Sequence, residues 1–163
     1  MARKVMNVIV AGLGGQGVIK ASDILADAAF RDGRDVKKAE VHGMSQRGGS
    51  VTTDVRFGDE VLSPMIPWGE ADFIVVCAPS EVEVVRPLLR PGGKLLPPDF
   101  VDEARLGNKR SLNVALLGAL SHHLDIPEAR WIEAINAALP PHLHDVNAKA
   151  FRLGRETAAA KTQ

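Results

Sequence analysis

A single cysteine in 163 residues removes more chemistry from consideration than any other feature of this sequence. Cys77 stands in the apolar run Phe73-Ile74-Val75-Val76-Cys77-Ala78. It has no partner for an internal disulfide, and a structural zinc site or an iron–sulfur cluster needs several thiolates. What remains for it is the role of a small buried apolar side chain. Charge of one sign is lacking too: 20 Lys and Arg balance 20 Asp and Glu, a formal net charge of +0. No net field therefore recruits nucleic acid or a membrane surface as partner. No apolar run approaches the roughly 18 residues of a bilayer span. The opening Met1-Ala2-Arg3-Lys4-Val5-Met6-Asn7 holds no cleavable apolar segment, so a cytoplasmic location is expected.

Catalytic constellations are missing as well. There is no G-x-S-x-G elbow, and no acid is placed to orient His42 towards Ser45 or Ser50, so no nucleophile is assigned. His122 and His123 are adjacent on a predicted helix and diverge by about 100°, which prevents them from sharing an ion. His142 and His144 lie in a proline-flanked stretch with no acid or thiol cluster beside them, so no metal site is assigned. Trp68 and Trp131 read as packing or interface residues, and Pro67-Trp68-Gly69 suits an anchor for a partner.

What is present is a pattern of alternating elements. Val5 to Ala11 is nearly continuous in apolar, β-branched residues, as in a strand covered on both faces. Val18, Ala21, Leu25 and Ala28 or Ala29 then recur at helical spacing, and Gly33 marks the stop. A second strand follows over Val36–Val41, making a β-α-β unit suited to a right-handed crossover. Val51, Thr53, Val55 and Phe57 alternate with polar residues, predicting a half-exposed strand, and Gly58-Asp59-Glu60 turns into Val61-Leu62 as a hairpin. Asp72–Cys77 is a further buried strand. Ser80 and Glu83 have the spacing of a capping box, Pro87 shortens the helix they open, Pro91-Gly92-Gly93 ends it, and Lys94-Leu95-Leu96 is a short strand. Leu112–Leu124, Glu128–Leu139 and Val146–Glu156 read as helices. The fold class is therefore α/β: a Rossmann-like, mainly parallel sheet flanked by helices, with a β-hairpin extension and a helical C-terminal third. Without repeats or a linker, residues 1–156 are expected to form one domain, with 157–163 a frayed tail.

Two glycine-rich loops carry the functional signal. Gly12, Gly14 and Gly17, in Gly12-Leu13-Gly14-Gly15-Gln16-Gly17, match G-x-G-x-x-G between a strand and a helix. In that pattern Gly12 permits the tight turn, Gly14 lets backbone approach a ligand and Gly17 allows close packing. The helix start favours an anion, to which Gln16 can add its amide. The alternative is a tight strand-to-helix connection and nothing more. Glu40 stands either where a ribose-binding acid would, or as a solvated charge at a strand end. The second loop, His42-Gly43-Met44-Ser45-Gln46-Arg47-Gly48-Gly49-Ser50, leaves the carboxyl end of the second strand, the sheet edge at which open α/β sheets bind ligands. Arg47 offers a fixed fork for phosphate or carboxylate, and Ala78-Pro79-Ser80 is expected at the same rim.

The two loops together resemble the γ subunits of the 2-oxoacid:acceptor oxidoreductases, and most closely the small subunit of indolepyruvate ferredoxin oxidoreductases. The resemblance continues through Ser111–Leu120, Ile135–Leu139 and Asn147–Gly154, and so covers nearly the whole chain. Pyruvate-type members carry an acidic, arginine-rich second loop, whereas Met44-Ser45-Gln46-Arg47 resembles the arylpyruvate branch. The resemblance implies a heteromeric enzyme that oxidatively decarboxylates a 2-oxo acid to an acyl-CoA, with electrons passing to ferredoxin. Thiamine diphosphate, magnesium and 4Fe–4S clusters are then expected on a larger partner, since this chain lacks the cysteines and the G-D-G…N motif; Gly58-Asp59-Glu60 is a turn. For this chain the resemblance implies docking, closure of the site and a share in holding CoA through Gly12–Gly17, His42–Gly49 and Asn113. Asn113 is read as bonding loop backbone or capping its helix. A homodimer in isolation, or a free-standing NAD(P)- or CoA-binding module, is the alternative.

Overall fold

The computed structural model describes residues 5–42 and 49–162, with only the backbone of His42. Strand β1 (Met6–Leu13) leads into helix α1 (Val18–Arg31), followed by β2 (Asp35–His42), β3 (Ser50–Gly58) and β4 (Ala71–Val76). A short helix α2 (Val82–Val85), strand β5 (Leu89–Leu96) and three helices, α3 (Leu112–Ser121), α4 (Glu128–Ala138) and α5 (His144–Lys161), complete the chain.

The sheet order is β2-β3-β1-β4-β5. β4 is parallel to β1 and to β5, while β3 is antiparallel to both β1 and β2. The expected α/β sheet with helices is thus present, but it is mixed, and β2 is not the neighbour of β1. β3 takes the slot between them. Its polar alternation suggested a half-exposed strand, yet Val51, Thr53, Val55 and Phe57 are buried under the helices and Asp54 is buried on the other face. Both flanks of β3 are paired, so the expected hairpin partner at Val61-Leu62 has no edge to join. Residues 61–70 instead cross the second face as an irregular segment.

The helices cover one face. α1 buries Val18, Ala21, Ile24, Leu25, Ala28 and Ala29, the stripe that its spacing predicts. α3 is buried from Asn113 to Ser121, because the sheet lies on one side of it and α5 on the other. Trp131 of α4 and Phe151 of α5 fill the outer layer with ring centroids 5.5 Å apart. The other face has a small core of Ile9, Ala11, Ile74, Val76 and Val85, roofed by α2 and Ile66. No helix among the described residues is long and apolar enough to cross a membrane.

Three local readings need correction. Ser80 and Glu83 form no capping box: Pro79–Glu81 is a 3-10 turn, α2 starts without a side-chain cap, and Glu83 pairs with Arg86 at 3.0 Å. Pro87 does hold α2 to four residues, but Pro91-Gly92-Gly93 lies inside β5 instead of ending a helix. Thr157 does not start a frayed tail. α5 continues to Lys161 because Ala158 is fully buried and Lys161 sits over the Phe100 ring, 4.1 Å from its centroid.

Candidate functional site

β1 ends at the carboxyl edge of the sheet, and the first glycine turn carries the chain into α1. The glycines divide their work differently from the motif. Gly12 is the close-packing position: a Cβ there would stand 2.8 Å from both Gln16 Oε1 and Val18 Cγ2. Gly15 and Gly17 make the turn at φ 91° and 75°, with Gly17 as the left-handed N-cap of α1. The Gly14 N–H donates to Gly49 O at 2.9 Å, so it binds the second loop rather than facing a ligand. Gln16 is likewise engaged. Its Oε1 accepts from Leu13 N at 2.7 Å and its Nε2 donates to Cys77 O at 3.3 Å, stapling the turn to the end of β4. The anion-receptive groups left are the first N–H groups of α1, which has no side-chain cap.

Asn113, buried at the start of α3, bonds loop backbone and is not the cap of its helix, whose N-cap is Ser111 without a side-chain bond. Its Nδ2 donates to Gly17 O at 3.0 Å, and its Oδ1 accepts from Val114 N at 2.9 Å. Of the second loop, Gly43, Met44, Ser45, Gln46, Arg47 and Gly48 lie outside the described residues. Its two stems are described: His42 ends β2 opposite Val51, and Gly49 meets Gly14. Ser50 donates its hydroxyl to the buried carboxylate of Glu81, tying the stem to the turn after β4. The described stem Gly49-Ser50 therefore meets both the first glycine turn and the turn after β4 at this edge. Glu40 accepts from Lys38 Nζ at 2.9 Å, and β3 separates its strand from β1, about two strand spacings or 9–10 Å.

An open groove of about 1540 Å³ runs from this turn. Gly15, Gln16, Gly17, Cys77 and Asn113 line its inner end, and Pro79, Val82 and Arg86 form one wall. A further wall is drawn from residues 97–110, which hold three successive 3-10 turns, and contributes Arg105, Lys109 and Arg110; Lys161 comes from α5. This wall was missed in the sequence, where it has no apolar period; the Lys109-Arg110 pair ahead of α3 was the one available signal. Arg86 is held by Glu83, whereas Arg105, Lys109 and Arg110 make no ion pair among the described residues.

Cys77 lines the groove but is 4% exposed, and burial pushes its thiol up to about 12. The thiolate is the nucleophile, so the folded chain is expected to resist a disulfide reagent at pH 8 and to react only once unfolded. Labelling of the native chain at the rate of a free thiol would contradict this burial. Two histidine rings do meet, His122 and His123 edge to face with centroids 5.2 Å apart; His122 also contacts Thr162 Oγ1 at 3.1 Å, His123 stacks on Phe73, and His144 contacts Leu139 O at 2.7 Å. No group of three His, Cys, Asp or Glu suited to a metal ion occurs among the described residues.

Comparison with known proteins gives this geometry a context. Residues 7–100 match the family model described as pyruvate ferredoxin/flavodoxin oxidoreductase. The chain is 35% identical to the indolepyruvate oxidoreductase subunit IorB of Thermococcus kodakarensis, covering 95% of this chain and 96% of that one. The γ subunit of a keto/oxoacid ferredoxin oxidoreductase from Geobacter sulfurreducens superposes with a TM-score of 0.78 at 24% identity, over 96% of this chain and 98% of that one. A 2-oxoglutarate:ferredoxin oxidoreductase from Magnetococcus marinus, solved with 2-oxoglutarate, coenzyme A and succinyl-CoA, superposes with a TM-score of 0.83 at 24% identity, over 96% of this chain and 31% of that one.

Proposed function

This chain belongs to the pyruvate ferredoxin/flavodoxin oxidoreductase family, beside the IorB subunits of indolepyruvate oxidoreductases, and we propose on that premise that it is the small subunit of a ferredoxin-dependent arylpyruvate oxidoreductase. The complex would decarboxylate indolepyruvate or a similar 2-oxo acid oxidatively to the acyl-CoA, in the cytoplasm. A 4Fe–4S cluster does not fit this chain, whose one cysteine is buried, and the sequence lacks the G-D-G…N pattern expected to hold thiamine diphosphate and magnesium. They are assigned to the larger subunit, which would also deliver electrons to ferredoxin.

The role left to this chain is to bind, orient and enclose. One observation carries it: a single groove joins the uncapped start of α1 to the cations Arg105, Lys109 and Arg110. CoA is a long molecule with a pyrophosphate, a further phosphate and a neutral arm ending in the thiol. A helix N-terminus and a separate cationic wall suit those charges, and the neutral arm is left to reach the partner. A free NAD(P) module is disfavoured, because β3 lies between the strand of Glu40 and β1 with its glycine turn.

Reversing two of these charges tests the assignment. In the assembled complex, Lys109→Glu with Arg110→Glu is expected to raise KM for CoA by about tenfold or more, since roughly 1.4 kcal/mol of lost phosphate contact is a factor of ten. KM for the 2-oxo acid should not move. An unchanged KM for CoA would remove CoA from this groove, and failure of a thiamine- and cluster-containing chain to copurify would remove the subunit reading itself.

A further inference from the structure

The second face of the sheet carries a feature that the groove does not explain. Residues 61–70 cross it from β2 to β1, and side chains of the sheet pin their backbone along the way. Asp35 Oδ2 accepts from Val61 N at 2.7 Å, and Asp54 Oδ2 accepts from Ile66 N at 3.0 Å. Arg56 Nη1 donates to Ser63 O at 2.8 Å and to Met65 O at 3.2 Å. Asn7 Nδ2 donates to Glu70 O at 3.0 Å, and Arg56 Nε steadies Asn7 through its Oδ1 at 2.9 Å. A segment held at this many points has little freedom to turn its side chains inward. Yet Leu62 is 85% exposed, Trp68 76% and Met65 52%, and Val84 on neighbouring α2 is 63% exposed. Phe30, the other strongly exposed aromatic, stands apart on α1.

Apolar side chains held outward by a backbone pinned to side chains of the sheet form a preorganised surface, which lowers the ordering cost of association. Trp is among the side chains that most often anchor interfaces. The surface is also continuous with the groove. Ile66 and Val82 pack against the same small core as Val85, Gly69 lies against the backbone of Pro87, and Val82 and Arg86 line the groove.

We infer that Leu62, Met65, Trp68 and Val84 form the platform on which the larger subunit docks, so that one partner covers this face and closes the groove along its Val82 wall. This rests on the proposed function. The larger subunit is chosen over a second copy because the relative matched over 96% of its length is named as a subunit of an oxidoreductase, and because the platform adjoins Val82 and Arg86 of the groove to which CoA is assigned.

The test is quantitative binding between this chain and its larger subunit, with circular dichroism on each variant. Trp68→Glu and, separately, Val84→Glu are expected to weaken assembly at least tenfold at unchanged helicity, while Phe30→Glu binds as wild type. Because the two variants lie on different elements, local unfolding in one leaves the other as the readout. Wild-type affinity in both would overturn the platform while leaving the subunit function standing. No binding by the wild-type chain would overturn both. A wild-type homodimer that Trp68→Glu dissolves without affecting the larger subunit would assign the platform to a second copy, and so overturn the inference.

Discussion

Replacing Gly154 by alanine is expected to cost this chain a large part of its stability. A Cβ at Gly154 would stand 1.7 Å from Ala115 O, and one at Gly118 would stand 1.9 Å from Phe151 O. α3 and α5 thus cross backbone on backbone, each offering the other a glycine. Helix propensity alone predicts the opposite sign, since alanine in a helix interior is better than glycine by about 1 kcal/mol. Packing must win here, because the obstructing atoms are carbonyls of a neighbouring helix and cannot swing aside. The helices would have to part on the order of 1–2 Å to reach ordinary contact distance, opening gaps around a helix that is buried on every side. Overpacking usually costs about 1–3 kcal/mol, and backbone on both sides puts this case at or above the upper end, on the order of 3–5 kcal/mol. Against a total of roughly 5–15 kcal/mol, that leaves a marginal protein. Urea unfolding followed by circular dichroism reads it directly. Gly118→Ala should behave alike, and the double variant should cost less than the sum, since one separation relieves both collisions. A Gly154→Ala chain as stable as wild type would show that the crossing is not this close.

Neither glycine was assigned that role from the sequence, although both lie in stretches that carried the family resemblance. A glycine inside a helical pattern announces a local cost and says nothing about what approaches it. The same limit explains β3. Its alternation correctly gave a strand with one apolar face, but Asp54 and Arg56 read as solvent-facing because their partners, the backbone of 61–70, have no periodicity. The elements read most closely were β1 and α1, whose apolar spacing is set by the core they meet. Gly12–Gly17 was legible as a turn because strand, glycines and helix follow in order. The duties inside it were not, since Gln16 reaches Cys77 and Gly17 reaches Asn113 across 61 and 96 residues. Trp68 and Trp131 make the point most simply: one residue type, 76% exposed in one case and fully buried in the other.

The pair Gly15 and Gly17 allows backbone strain and collision to be separated within one turn. Gly17→Ala is expected to destabilise the chain by about 2–5 kcal/mol, combining two causes. The left-handed conformation at φ 75° costs a residue with a Cβ roughly 1–2 kcal/mol. The new Cβ would also lie 2.5 Å from Asn113 Nδ2. Asn113 must then give up its bond to Gly17 O while remaining buried, a loss of about 1–3 kcal/mol for an unpaired amide. Gly15 has φ 91° with nothing within 4 Å of the added Cβ, so Gly15→Ala should show the strain alone, about 1–2 kcal/mol. Thermal or urea unfolding of the two variants gives the difference. The functional readout should follow the same order in the assembled complex, with CoA-dependent turnover reduced more by Gly17→Ala, because it displaces the start of α1 where the anion is proposed to sit. Asn113→Ala placed on Gly17→Ala removes the colliding amide and should be less than additive. Equal costs at Gly15 and Gly17, or strict additivity with Asn113→Ala, would mean that Asn113 does not hold the turn.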